Sequence, residues 1–339
     1  MNVGLIGGGN ISDTHARAAI AAGLNVAGVF GANRSRAREL AQRYGTVAYD
    51  TRDALIVQPA LDIVMIGSPS GCHADDARAA ALAGCHILVE KPLDISTARV
   101  DTLLHKVERT GVRLGVFFQD RLKPDVVAMK RRIENGSIGT PLIATAEVKW
   151  FRPRDYYAGS RWRGTWALDG GGALMNQGIH TVDLLLHLLG PVTRVSGVTA
   201  TRFHAIEVED TATAMLEFAS GAQATIDVTT AAFPGRPRRL LVAGTEGSLL
   251  LDGDRLQEAD SDSTPARPAD ARVENVSSPV VSDVSAHRRI VEDFVEAVRL
   301  GRPPICDGAE GRRSVEVVEA VYRAAREKRI IDLLHGVQE

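Results

Sequence analysis

Short apolar runs alternate with helical stripes through the first 120 residues, and then the period changes. Asn2–Ile6, Asn25–Phe30, Ala48–Tyr49, Asp62–Gly67, His86–Glu90 and Arg113–Phe118 read as strands. Asp62–Gly67 is apolar almost throughout, as a central parallel strand covered on both faces must be. Helical patterns separate these runs: one starting near Ser12 or Asp13, one after Phe30, a brief one at Asp53–Val57, the alanine-rich Ala74–Ala83, and Thr97–Thr110. Strands that each lead into a helix predict a parallel sheet with right-handed crossovers. Ligands of such sheets lie beyond the carboxyl ends of the strands.

Beyond Phe118 the pattern predicts a helix at Pro124–Asn135 and then mostly strands. Pro141–Phe151 alternates in the way of a sheet with one covered face. Val192–Arg202, Asp210–Phe218, Ala222–Thr229, Arg239–Ala243 and Ser248–Leu251 follow with turn signals between them. Successive strands without intervening helices predict an open, mostly antiparallel sheet, one face on helices and the other available to a second subunit. Asp252–Ala286 is polar and reads as surface loop, with some order around Val273–Val276. Amphipathic helices at Ser285–Arg299 and Gly308–Glu327 precede a closing strand or packed tail at Ile330, Ile331 and Leu333. The fold class expected is α/β: an N-terminal Rossmann-type parallel sheet plus a C-terminal α+β domain with an open antiparallel sheet, divided into residues 1–120 and 121–339.

Composition narrows the function. The 339 residues are 45% hydrophobic, with a formal net charge of -2. Charges of both signs are interspersed, which argues against a nucleic-acid groove or a lipid-binding surface. No apolar run approaches the length of a membrane span. The start, MNVGLIGGG, lacks the basic region of a signal peptide, so a cytoplasmic protein is expected. Three scattered cysteines, Cys72, Cys85 and Cys306, fit free thiols in a reducing compartment and no metal site.

The glycine turn after the first strand places Gly7 and Gly9 where backbone approaches a pyrophosphate, with Asn10 and Ile11 opening the helix N-terminus behind it. Ser12 stands where the usual pattern has a third glycine. The second strand ends Phe30-Gly31-Ala32-Asn33-Arg34. An NAD-preferring strand commonly ends in an acid that binds the ribose 2′-hydroxyl, and here there is none. Asn33 and Arg34 therefore point to a cofactor bearing a 2′-phosphate, with NADP favoured over NAD. Ser68, Pro69, His73, Glu90, Lys91 and Gln119 all fall at or just past carboxyl ends of strands. A lysine at such a place has to be held by partners or used.

The chemistry concentrates further along. The stretch Arg152–Trp166 is dense in arginine, tyrosine and tryptophan, and feeds into Gly170–Asp183, GGGALMNQGIHTVD. Such a basic and aromatic loop suits either a bound ligand or a subunit interface. At helical spacing Asn176, His180 and Asp183 share one face.

The N-terminal glycine turn with His15, Ser68-Pro69 with His73, Glu90-Lys91-Pro92 and GGGALMNQGIHTVD together resemble the glucose–fructose oxidoreductase, inositol dehydrogenase and rhizopine catabolism family over essentially the whole chain. The resemblance implies hydride transfer at a ring hydroxyl of a sugar or cyclitol, and a homodimer or homotetramer built on the open sheet. It makes Lys91 and His180 catalytic. Many members carry aspartate at the position of Asn176; an amide there cannot exchange protons. FFQDR, YYAGSRWRG and the asparagine look most like UDP-N-acetylglucosamine-type 3-dehydrogenases. Asn176, Gln119, Arg121, Trp162, Arg163 and Asp183 are the implied substrate-binding residues. A free-sugar or cyclitol dehydrogenase, a glycoside-cleaving enzyme with retained nicotinamide, and a non-catalytic nicotinamide-binding regulator are the alternatives.

Overall fold

The computed structural model describes residues 1–259 and 283–333. They divide into two compact units. One comprises Met1–Gln119 with the C-terminal segment that ends at Val315; the other runs from Asp120 and includes the residues from Glu316 onward.

In the first unit, strands β1 (Asn2–Ile6), β2 (Asn25–Phe30), β3 (Val47–Tyr49), β4 (Ile63–Ile66), β5 (His86–Val89) and β6 (Leu114–Val116) form one sheet in the order β3-β2-β1-β4-β5-β6, all parallel. The order reverses between β1 and β4, which stay paired up to Ile6 and Ile66; the connections that leave them run to opposite sides of the sheet, and such a switch point opens a crevice beyond the carboxyl ends. Every residue of β4 is buried, as its unbroken apolar run requires. The helix expected near Ser12 begins two residues earlier, at Asn10, because Gly9 serves as its cap in an extended conformation.

The sequence division at residue 120 places the whole C-terminal part in the second domain, whereas the helix Ser285–Leu300 packs on the helix Asn10–Ala21 of the first unit. Its Ile290, Val291, Phe294 and Ala297 are buried. Gly115 makes room for it: a Cβ there would lie 2.8 Å from the Phe294 ring. Downstream, the Cys306 carbonyl accepts the Val116 N–H at 2.8 Å, which covers the edge strand β6. Apolar stripes say that a helix must be buried, not which sheet it will cover.

The second unit holds β7 (Pro141–Lys149), β8 (Val192–Ala200), β9 (Thr211–Phe218), β10 (Gln223–Thr229), β11 (Arg239–Gly244), β12 (Ser248–Asp252), β13 (Arg255–Ala259) and β14 (Ile331–Asp332). They form one sheet ordered β13-β12-β11-β7-β10-β9-β8-β14. Among the described residues, only β7 and β10 of this sheet pair in parallel. On β10, Ala224, Ile226 and Val228 are buried and alternate with more exposed neighbours, the expected one-sided pattern. Strand β13 corrects the reading of Asp252–Ala286 as loop. Gly253 (φ 62°) turns the chain, and Asp252 pairs with Arg255 across the hairpin. An edge strand of polar residues gives no apolar alternation to read. The order expected around Val273–Val276 lies outside the described residues. Among the described residues, no helix is long and apolar enough to cross a membrane.

Candidate active site

In the first unit the glycine turn is tight. Gly7 has φ 131°, and a Cβ there would lie 2.5 Å from Ser12 Oγ and 2.7 Å from the Gly67 carbonyl. Gly8 and Gly31 back onto each other: a Cβ on Gly31 would lie 3.2 Å from Gly8 N. Around Gly9 there is open space. No side chain caps the Asn10–Ala21 helix. Its first N–H groups at Asn10 and Ile11 are thus presented beside an open glycine, the geometry that accepts a pyrophosphate. A dinucleotide fits these residues.

The second predicted contact is more occupied. Asn33 caps the next helix by accepting the Arg36 N–H at 3.1 Å. Arg34 lies 3.6 Å from Asp50, both side chains well exposed. A 2′-phosphate on Arg34 would share that guanidinium with a carboxylate.

The carboxyl ends of β4 and β5 are cross-tied. His73 Nδ1 lies 2.7 Å from the Pro92 carbonyl, and Nε2 lies 2.8 Å from the Ser68 carbonyl. Ser68 donates its hydroxyl to Asp76 at 2.7 Å. Glu90 is buried, meets His15 Nε2 at 3.0 Å and accepts the Lys91 N–H at 3.2 Å. The His15 ring stacks on Phe117 with centroids 4.3 Å apart. Burial pushes the Glu90 carboxyl up, but the His15 hydrogen bond and charge, with Lys91, outweigh it and bring it to about 2. An ionised Glu90 therefore fixes the backbone from which Lys91 projects. Gln119, at the end of the unit, keeps its Oε1 buried with no hydrogen-bond partner among the described residues.

In the second unit, Gly170–Asp183 becomes helical from Ala173, with a difference. Ala173–Gly178 is a π turn, and the α-helix runs Ile179–Leu189. Spacing by three and four holds for His180 and Asp183; Asn176 sits in the wider turn. This end of the helix is bonded from outside. Glu209 takes the Gly172 and Leu174 N–H groups at 2.9 and 2.8 Å and the Tyr322 hydroxyl at 2.9 Å, and its own carbonyl takes the Ala173 N–H. A Cβ on Gly172 would collide with the Glu209 carbonyl, and one on Gly171 with the Tyr322 hydroxyl. Burial drives the Glu209 carboxyl up to about 7 in spite of those donors.

The predicted polar residues separate here by task. Arg121 forks onto Asp183 at 2.8 and 2.6 Å, both side chains buried. The Asn176 amide donates to Asp169 at 2.6 Å. Asp120, which belongs to the FFQDR run but was given no role of its own, is held by Arg238 at 2.5 Å and Lys123 at 2.8 Å. Burial raises the Asp120 carboxyl, yet Arg238, Lys123 and His180 together hold it well below the usual carboxylate range. A fixed carboxylate thus lies within the field of His180. Glu209 and Asp120 escape sequence reading because Glu209 binds backbone groups and the Tyr322 hydroxyl, and Asp120 binds Arg238, far away in the chain.

The basic and aromatic loop forms a stack. Arg163 lies over Tyr156 and Trp162, 4.4 and 5.1 Å from the ring centroids; Arg152 lies over Tyr156 and Trp150, at 5.2 and 5.3 Å. Gln177 of the π turn reaches the Tyr156 hydroxyl at 3.4 Å. The indole N–H of Trp150 and the Oε1 of Gln177 are buried with no hydrogen-bond partner among the described residues. Buried polar atoms beside stacked cations are groups that a polar ligand can satisfy.

Comparisons agree with both halves. The model of the oxidoreductase family with NAD-binding Rossmann fold matches residues 1–118, and that of the GFO/IDH/MocA C-terminal domain matches residues 126–250. The UDP-N-acetylglucosamine 3-dehydrogenase of Acidithiobacillus ferrooxidans is 30% identical over 92% of this chain and 93% of its own. The D-apiose dehydrogenase of Paraburkholderia graminis is 29% identical over 92% of this chain and 84% of its own. The crystal structure of the WlbA dehydrogenase from Bordetella pertussis, in complex with NADH and UDP-GlcNAcA, superposes with a TM-score of 0.87 at 30% identity, covering 98% of each chain. With the dinucleotide turn in one unit, the glycine-led helix in the other and these matches across both, the chain belongs to the GFO/IDH/MocA family of NAD(P)-dependent oxidoreductases.

Proposed function

We propose that the enzyme transfers hydride between a ring secondary hydroxyl of a sugar or nucleotide sugar, with C3 favoured, and a nicotinamide cofactor. The observation that carries this reading lies in the second unit: His180 heads a buried helix, and the turn before that helix is tied to a stack of guanidinium groups and aromatic rings. Stacked cations suit a nucleotide, which brings both a flat base and charged phosphates. The similarity to a UDP-N-acetylglucosamine 3-dehydrogenase supports the nucleotide sugar. The similarity to a D-apiose dehydrogenase, at nearly the same identity, supports a free sugar as the second reading.

Bound NAD(P) supplies the hydride acceptor or donor. In oxidation His180 takes the hydroxyl proton, and in reduction it returns it, as an imidazole does near neutrality. Asp120 favours the charged imidazole that results. Lys91 hydrogen-bonds the reacting oxygen and stabilises its developing negative charge. Asn176 binds a neighbouring hydroxyl. NADP is favoured by the absence of an acid at Gly31 and by Arg34 beyond it; Asp50 offsets part of that preference. The subunits assemble through the open sheet.

The test is a panel of UDP-sugars, free sugars and cyclitols, each with NAD+ and NADP+, read by the absorbance of reduced nicotinamide. Turnover of a UDP-sugar with loss of its C3 hydrogen is the expected result. Binding of cofactor with no turnover anywhere on the panel would leave a regulator. Release of an aglycone with no net change in free cofactor would make the protein a glycoside-cleaving enzyme.

A further inference from the structure

His15 lies in the middle of the helix Asn10–Ala21, whose first N–H groups stand beside the open Gly9, and its side chain is fully buried. The ring is held on two sides. It stacks on Phe117 with planes 10° apart, and it packs on Gly67, where a Cβ would come within 3.3 Å of Cε1. So fixed, its Nε2 lies 3.0 Å from Glu90 Oε1. An ionised carboxylate only accepts, so Nε2 carries the hydrogen and donates it. Glu90 is anchored in turn, its own N–H going to the Ile66 carbonyl at 2.9 Å. Its Oε2 takes the Lys91 N–H at 3.2 Å. Beyond the lysine, the Pro92 carbonyl meets His73 Nδ1 at 2.7 Å. The backbone before and after Lys91 is thus tied to two buried histidines, before it through Glu90 and after it directly.

A carboxylate suits the middle of this connection because it accepts at both ends. Glutamine has one acceptor and one donor, and would turn its NH2 toward either the imidazole or the Lys91 N–H. Stability alone does not call for a buried pair of this kind, since apolar side chains of similar volume commonly serve as well. What the pair supplies is direction. The Lys91 side chain leaves a backbone fixed by Glu90, and Glu90 is fixed by a ring on the helix that carries the dinucleotide turn.

We propose that His15 is a positioning residue: acting through Glu90, it ties the Lys91 backbone to the cofactor helix, so that the lysine and the bound dinucleotide keep one fixed relation. The proposal rests on the reading of Lys91 as the group that stabilises the reacting oxygen, and adds to it a residue acting at one remove. The titratable groups in the field of the Glu90 carboxyl are His15, Lys91 and, from the helix Ser285–Leu300, His287. Without His15 the burial of Glu90 is opposed less, and its carboxyl takes up a proton at higher pH. A protonated Glu90 holds the Lys91 N–H more weakly.

The experiment compares wild type, His15→Leu, His15→Gln, Lys91→Ala and the His15→Leu/Lys91→Ala double variant, with a sugar substrate from the panel above. NADH affinity, read by nucleotide fluorescence, should stay within about three-fold throughout. His15→Leu should lower kcat by roughly ten- to hundred-fold, the loss that follows from displacing a reacting group by about 1 Å. His15→Gln, whose amide can donate to Glu90 in place of the imidazole, should recover most of that loss. In the Lys91→Ala background His15→Leu should cost less than about three-fold more, because both changes act through one group. The ratio of the His15→Leu and His15→Gln rates cancels the titration of His180. It should fall as pH drops from about 8 to about 5, as Glu90 becomes protonated in the leucine variant. Amide hydrogen exchange at Lys91 should be faster in His15→Leu than in wild type, and slow again in His15→Gln. Should His15→Leu fail to fold, Glu90→Gln takes its place in both backgrounds, since it keeps the shape and breaks one of the two bonds. Equal losses in the two backgrounds overturn the proposal, as does a fall in NADH affinity as large as the fall in kcat. A ratio flat with pH rules out Glu90 as the link. Undiminished turnover in Lys91→Ala removes the reading beneath the proposal; exchange at Lys91 still decides whether His15 fixes that backbone.

Discussion

Arg121 and Asp183 form a two-pronged ion pair, with only 3% and 0% of their surfaces exposed. The pair ties the short turn that carries Asp120 and Arg121 to the helix that carries His180. Each side chain neutralises the other, so its first consequence is for stability. Asp183→Ala takes the two-pronged carboxylate partner away from a buried guanidinium and should cost about 3–5 kcal/mol in chemical unfolding. The same measurement on a surface pair such as Arg288 and Glu292 should show a loss of at most about 1 kcal/mol.

The glycine turn makes a second prediction. Gly7→Ala forces a side chain into a left-handed conformation at φ 131°, against Ser12 and the Gly67 carbonyl. Displacing that turn spoils the helix N-terminus beside it. NADH and NADPH affinity should both fall, by about ten-fold or more, measured by nucleotide fluorescence. Gly9→Ala, in open space, should fall by less.

For Lys91 the expectation separates chemistry from binding. If Lys91 stabilises the reacting oxygen as proposed, Lys91→Ala should lower kcat by roughly 10²–10³. Cofactor affinity should stay within about three-fold of wild type. Equal losses in turnover and cofactor binding would remove the catalytic assignment.

Two buried glutamates give the unfolding free energy opposite slopes with pH. Glu209 has a folded pKa of about 7, raised from 4.5 by burial. Its contribution is fully present below about pH 4.5 and is lost as pH rises to 7. Glu90 is held at about 2, where the His15 bond and charge outweigh the burial that opposes them. Its contribution is present above pH 4.5 and is lost as pH falls toward 2. Each limb amounts to about 3 kcal/mol at most. Urea unfolding from about pH 3 to about pH 8 should show Glu209→Gln flattening the descent toward neutrality, and Glu90→Gln flattening the acid side.

The first sheet was legible because a parallel strand covered on both faces must be apolar along its length, as β4 is. The Gly7–Ile11 turn was legible because few other residues fit its backbone. The π turn was not. Its residues have ordinary helical spacing, and the carboxylate that takes the Gly172 N–H just before it comes from a glutamate 37 residues away. Asp169 was missed for a related reason: an aspartate before glycines reads as turn chemistry, and only the fold reveals the amide it holds. Arg121 and Asp183 were found as polar residues near the site, but sequence could not show that they satisfy each other.

The covering of β6 by Cys306 sets an order on synthesis. As the chain leaves the ribosome, the nucleotide-binding sheet is complete in sequence by Val116. The Val116 N–H and the apolar surface awaiting Phe294 nevertheless stay uncovered until the segment from Ser285 to Cys306 emerges. The intervening segment has to fold first, or wait. A nascent chain stalled before Ser285 should therefore be a client for holding chaperones, and a circular permutant that starts near Ser285 should be released from them sooner.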